Sequence, residues 1–386
     1  MPLNGRINKA TLVIILIGMV SLFADFTYEG SRSIIPQFFT TTLGGSVFLL
    51  GVVLGLGEFV GYVFRLVSGK LADVTHRYWQ ITFIGYAINL FAVPLLALSG
   101  NFIIAAFLIF AERLGKATRA PSKDFIISAV SARKNMGRSF AINQALDQTG
   151  AVVGPIAMSL IILYGGGYRE GFAFLAIPAV LAMLFLATAY MRHKDVGALK
   201  KREPKNGMMS SRKFMIYSIA VAVSAAGLYQ TPFVLYGAQG SISAYLIPII
   251  FMVAMIGEGL FGFLFGMLYD RIGRVLVYAG LAFTGIIPFI LLSHSPLSFY
   301  IAALVIGAAI GVQDTVMRAV VGTMIPKERR GFSYGIFNSF YGFGIMASSI
   351  IVGYLYHSLG IIMWYAVAAQ IIAFVLMMVS FRESHP

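Results

Sequence analysis

The chain contains no cysteine. Disulfides, thiolate metal sites and cysteine nucleophiles are therefore excluded. Charge is also scarce. Charged residues make up 11% of the 386 residues, where an ordinary soluble domain carries about 25%. Acids are the rarer sign, 15 against 29 basic residues, which leaves a formal net charge of +14. The five histidines, His76, His193, His294, His357 and His385, are scattered at ends and loops. Their spacing forms no metal cluster, so neither a metal nor a cofactor is expected.

What remains is apolar: 59% of the residues are hydrophobic. That much apolar side chain cannot all be hidden from water in a core, so part of the solvent must be lipid. A spanning helix needs about 20 apolar residues. At about 30 residues per span with its turn, the length holds twelve spans and no separate soluble domain. The expected spans are 11–39, 46–68, 79–99, 101–122, 138–164, 170–191, 214–236, 243–266, 275–294, 298–324, 332–357 and 360–381. Arg6 and Lys9 precede the first apolar run, as in a signal peptide, but no small-residue cleavage site follows. The segment reads as an uncleaved first span.

Loop charge sets the orientation. Lys70, Arg77, Arg133, Lys134, Arg138, Arg271, Arg274, Lys327, Arg329 and Arg330 fall in one set of loops. In the opposite set the only Lys or Arg is Arg169. The positive-inside rule puts the first set and both termini in the cytoplasm, in a plasma (cytoplasmic) membrane. This accounts for the basic charge without nucleic acid. The longest polar stretch, 192–213, divides the chain into a bundle at 1–191 and a bundle at 214–386. It reads as a cytoplasmic basic linker.

The two halves echo each other. Gly69-Lys-Leu-Ala-Asp73 follows span two, and Gly266-Met-Leu-Tyr-Asp270-Arg271-Ile-Gly273-Arg274 follows span eight. Gly137-Arg-Ser-Phe opens span five and Gly331-Phe-Ser-Tyr opens span eleven, 194 residues later, and the same shift superposes Gly150 on Gly344. A duplicated six-helix unit implies two bundles with a pathway between them near the midplane.

The repeated Gly-x-Leu-x-Asp-Arg-x-Gly-Arg loop resembles the signature loop of the major facilitator superfamily. The Gly266–Arg274 copy is nearly complete. In the Gly69–Arg77 copy Val74 replaces the usual basic residue. The resemblance implies an all-α polytopic fold of twelve helices in two pseudo-symmetric six-helix bundles, with Gly69, Asp73, Arg77, Gly266, Asp270, Arg271 and Arg274 as gating loops. The stretches 112–124 and 147–155 resemble spans four and five of a prokaryotic permease subgroup. Gly150, Gly154 and Pro155 also resemble the antiporter motif of drug:proton exporters, although Ala157 and Met158 stand where that motif has paired glycines.

Charge at bilayer depth is costly, so each such residue needs a partner or a function. Asp25, Glu29 and Arg32 lie four and three residues apart on one face of span one. Glu29 and Arg32 can neutralise each other, which leaves Asp25 alone. Glu58 and Glu258 read as lone carboxylates at corresponding places in the two halves. Glu112, Lys116, Arg119 and Lys123 form a stripe on span four with Arg113 beside it. Asp147, with Asn143 and Gly150 on one face of span five, is a partner for Arg113 or Lys116. Asp25, Glu58, Asp147 and Glu258 are the proton-coupling candidates. Glu29, Arg32, Glu112, Arg113, Lys116 and Asp147 form a candidate charge relay. Tyr229, Gln230, Gln313, Asp314, Asn338 and Tyr341 are pathway candidates in the second half, where Tyr229-Gln-Thr-Pro232 breaks span seven.

No phosphate-binding loop ending in Lys-Ser or Lys-Thr is present, so ATP is not the expected driving force. The expectation is a monomeric, non-enzymatic secondary transporter of a small solute. It would work by alternating access and export its cargo in exchange for protons. The alternatives are a facilitator or importer of a small organic anion, a metal-ion exporter, and a membrane receptor or scaffold that keeps the fold without transport.

Overall fold

A computed structural model describes residues 9–131, 136–192, 194, 212–325 and 330–382. The expected linker at 192–213 lies almost wholly outside the described residues, as do Arg133, Lys134, Lys327 and Arg329.

Twelve long helices run through the described residues: α1 Lys9–Arg32, α2 Val47–Thr75, α3 Tyr78–Leu95, α4 Phe102–Val130, α5 Met136–Leu163, α6 Ala176–Arg192, α7 Arg212–Ala226, α8 Ile247–Ile272, α9 Val277–Leu291, α10 Pro296–Val312, α11 Arg330–Tyr354 and α12 Leu359–Arg382. No strand forms among these residues. Ten segments are apolar and long enough to cross a membrane. One of them, Ala244–Leu291, is α8 and α9 together. The helix α4 is outside the ten because of its charge, and it supplies four of the six first-half cations of the site, Arg113, Lys116, Arg119 and Lys123.

Local chemistry sets the helix ends. Ser46 caps α2 by accepting from the Leu49 amide at 3.1 Å, and Asn101 caps α4 by accepting from Ile103 and Ile104. Gly273, at φ 75°, lets the chain turn sharply between α8 and α9. In span seven α7 stops at Ala226 and a short helix resumes at Thr231–Gly237 with Pro232 in its first turn. The break expected at Tyr229–Pro232 is where the structure has it.

The packing follows the repeat. Within the first half α1 packs on α5 and α6, α2 on α4, and α3 on α4. Within the second half α7 packs on α11 and α12, α8 on α10, and α9 on α10. The halves meet through α2 with α11 and α5 with α8, two contacts that a pseudo-twofold axis interchanges. The duplicated glycines explain the closest pairs. A β-carbon at Gly150 would strike the Leu22 carbonyl oxygen of α1, and one at Gly344 would strike the Ala222 carbonyl oxygen of α7. Small residues let helix backbones approach where lipid offers no hydrophobic drive for association. Gly154 meets the Phe26 carbonyl and Gly30 on α1, so Gly150 and Gly154 lie in the α1–α5 seam, with Pro155 buried next to Gly154 on α5.

Candidate functional site

Four helices of the first half carry the charge. Asp25, Tyr28, Glu29 and Arg32 share a face of α1, and Glu58, Tyr62 and Arg65 share a face of α2. From α4 come Glu112, Arg113, Lys116, Arg119 and Lys123, and from α5 come Asn143 and Asp147. Arg32, Arg65, Arg113, Lys116, Arg119 and Lys123 face Asp25, Glu29, Glu58, Glu112 and Asp147, all buried or half-buried.

These groups pair across helices. Arg32 bonds Glu29 at 3.2 Å and also Glu58. Arg113 approaches the same Glu58 oxygen at 3.4 Å and Glu112 at 3.3 Å. Glu58 therefore ties α1, α2 and α4 together and is not the lone carboxylate expected from its place in the sequence. The reason is the approach of α2 to α1 and α4, which one-helix periodicity does not reveal. Lys116 sits 4.0 Å from Glu29, with its ammonium 3.9 Å from the centre of the Tyr28 ring, a cation–π contact. Asn89, fully buried on α3, donates to the Glu112 backbone carbonyl and carboxylate and accepts from Arg119 at 3.3 Å.

Asp147 does not pair with Arg113 or Lys116. Its partners are Asn143 at 2.9 Å and Lys123 at 3.8 Å. Lys123 also donates to Ser21, which donates to Asn143. The pairing follows from depth: Lys123 lies two turns beyond Lys116 along α4, level with Asn143 and Asp147 as α5 rises. Asp25 has no ion pair or hydrogen bond among the described residues.

The second half is sparser. Asp314 pairs with Arg318 at 3.0 Å where a π-helical turn, Gln313–Met317, follows α10. Such turns are rare and cluster at functional sites. Tyr341 donates to Gln313 at 2.9 Å, and Gln230 donates to the Ile345 carbonyl, Ser348 and Ser349, which fixes the broken span seven to α11. Glu258 has no ion pair among the described residues.

A cavity of about 350 Å³ lies between the halves. Asp25, Glu29, Arg32, Glu58, Arg113, Lys116 and Asp147 line it from the first half, and Gln230, Glu258, Asp314, Arg318 and Tyr341 from the second. Glu112, Tyr229, Gln313 and Asn338 are not among its lining residues. Tyr229 is buried against Phe233, Gln313 stands behind Tyr341, and Glu112 is held by Asn89. Sequence reading missed Arg65, Tyr62, Gln144 and Gln148, which also line the cavity. Arg65 is seven residues from Glu58 on one helical face, a spacing that could have flagged it.

One end of the cavity is sealed. Gln37 donates to the Leu235 carbonyl at 2.9 Å, Gln239 to Thr40 at 3.3 Å and Ser159 to the Tyr245 carbonyl at 2.5 Å, each bond crossing between halves. Toward the other end Gln144 lines the cavity and is exposed. There Asp73, Arg77, Asp270, Arg271 and Arg274 are exposed, and Asp73 accepts from Tyr78 at 3.1 Å. No ion pair joins Asp73 or Asp270 among the described residues.

Residues 15–241 and 218–386 both match the profile of the Major Facilitator Superfamily. The chain belongs to the major facilitator superfamily. It is 30% identical over 372 residues to an uncharacterized protein of Mycobacterium tuberculosis, covering 93% of this chain and 90% of that protein. It is 26% identical over 376 residues to an uncharacterized MFS-type transporter of Methanocaldococcus jannaschii, covering 92% and 90%. Among solved structures, a POT family transporter in complex with 5-aminolevulinic acid superposes with a TM-score of 0.81 at 12% identity, over 96% of each chain. The nucleoside transporter NupG superposes at 0.77 with 16% identity, over 97% of this chain and all of that one. These likenesses establish the fold. The protein is an MFS-type membrane transporter that spans the membrane many times, and it is not an enzyme.

Proposed function

We propose that the protein is a proton-coupled secondary transporter that moves a small solute by alternating access through the central cavity. The observation that carries this reading is Asp25. The other cavity acids of the first half are held in ion pairs, while Asp25 lines the cavity with no partner. An unpaired intramembrane carboxylate on a transport path is suited to take up and release a proton. Asp147, paired only at 3.8 Å, and Glu258, unpaired in the second half, are the further coupling groups.

Loop charge orients the molecule in the cytoplasmic membrane with both termini inside. The sealed end then faces outward, and the conformation is inward-open. Residues 1–191 and 214–386 are the two rocking bodies and 192–213 is the linker. The exposed Asp73 and Asp270 loops are gates in their released state, and they latch when the inner end closes. A single chain encloses the whole cavity, which supports a monomeric transporter.

Export in exchange for protons is the direction assigned from the Gly150–Pro155 motif. The test is flux in proteoliposomes with an imposed pH gradient, using a ligand found by thermal-shift screening. Gradient-driven flux is expected in the wild type, with its sign giving the direction, and none in the triple variant Asp25→Asn, Asp147→Asn, Glu258→Gln. Flux that survives all three substitutions overturns the coupling assignment.

A further inference from the structure

The Arg113 guanidinium is almost fully buried, with the residue 4% exposed, yet it is underused. Its Nη1 and Nε atoms make no hydrogen bond, although Nε lies 3.3 Å from Glu112. The separation permits a Coulomb contact, but the bond geometry is poor. Only Nη2 faces Glu58, and it shares the Glu58 Oε1 atom with Arg32. A guanidinium offers five N–H donors in a fixed fork that fits an oxyanion with two parallel bonds. Arg32 spends its donors on Glu29 and Glu58, so the unfilled donors are those of Arg113. Buried donors without acceptors are costly, and so they are rare.

We propose that the transported solute is a small organic anion whose carboxylate or phosphate group binds between Arg32 and Arg113, taking the place that Glu58 holds in the empty cavity. The inference rests on the transporter reading of the cavity and names its substrate class. Glu58 acts as an internal stand-in for the substrate. It keeps the two arginines neutralised while the cavity is empty, and it yields when an anion arrives. Lys116, held over the Tyr28 ring 3.9 Å from its centre, adds a third cation on the same wall.

The test is chemical rescue, read by thermal unfolding of the purified full chain. In Glu58→Ala the stand-in is gone, and a small oxyanion can enter its place. Acetate and inorganic phosphate are the probes, at constant ionic strength against tetramethylammonium chloride. The unfolding temperature of Glu58→Ala is expected to fall and then to recover with added probe, at a half-maximal concentration about ten-fold below any effect on the wild type. The recovery should vanish in the double variant Glu58→Ala, Arg113→Gln. Recovery with acetate assigns a carboxylate site, and recovery with phosphate alone assigns a phosphoryl site. Recovery with neither, or equal recovery with the chloride control, overturns the proposal. If Glu58→Ala does not fold, Glu58→Gln keeps the side-chain volume, removes the competing charge and is read in the same titration. Rescue reports equilibrium binding and needs no flux, so this inference and the transport reading fail separately.

Discussion

A single methyl group at Gly150 is expected to weaken the α1–α5 seam measurably. The β-carbon of Gly150→Ala would overlap the Leu22 carbonyl oxygen and lie 2.9 Å from the Phe26 amide nitrogen. Both obstacles are backbone, so no flexible side chain can swing away. The helices must move apart, and they lose contact along a seam where a β-carbon at Gly154 would also lie only 2.5 Å from the Phe26 carbonyl oxygen of α1. Overpacking of this kind costs about 1–3 kcal/mol. For units of 150–250 residues each kcal/mol is about 2–4 °C, so the unfolding midpoint should drop by roughly 2–12 °C. Gly137 is the internal control. It lies on the same helix, and nothing stands within 4 Å of its β-carbon position. Thermal unfolding in detergent, followed by size-exclusion recovery, compares the two. The reasoning is refuted if Gly150→Ala is as stable as Gly137→Ala.

Two further outcomes follow from the site. Asn89→Ala removes the group that satisfies Glu112 and Arg119 together, and it should destabilise by about 1–3 kcal/mol or more, because charged partners are left unsatisfied. Thermal unfolding checks it, and Asn89→Asp should not restore wild-type stability, since it adds a carboxylate beside Glu112. The absence of cysteine makes single-cysteine mapping clean. Gln144→Cys should react with a membrane-impermeant thiol reagent from the side bearing the Gly69–Arg77 loop, whereas Gln37→Cys should not react from the opposite side until substrate cycles the protein.

Much of the fold was legible because the bilayer imposes it. Apolar length gives the spans, and the 194-residue spacing gives the repeat that superposes Gly150 on Gly344; the α1–α5 and α7–α11 seams those glycines serve are visible only in the structure. The charged residues of α4 were legible as a set, since charge at that depth stands out. Their partners were not. Periodicity places residues on a face of one helix but gives no depth or rotation against the next. So the sequence offers Arg113 or Lys116 to Asp147 when Lys123 lies level with it, and it leaves Glu58 solitary although α1 and α4 both reach it. Asn89 and Arg65 went unnoticed for the same reason. The pathway candidates of the second half divide similarly: Gln230, Asp314 and Tyr341 reach the cavity, whereas Tyr229, Gln313 and Asn338 do not line it.

The most direct test of proton coupling is to separate exchange from driven transport in Asp25→Asn. Proteoliposomes loaded with the screened ligand are assayed twice, once for counterflow without a gradient and once for flux driven by a pH gradient. If Asp25 carries the coupled proton, the variant keeps counterflow and loses the gradient-driven flux. If Asp25→Asn responds to the gradient as the wild type does, the central claim is contradicted.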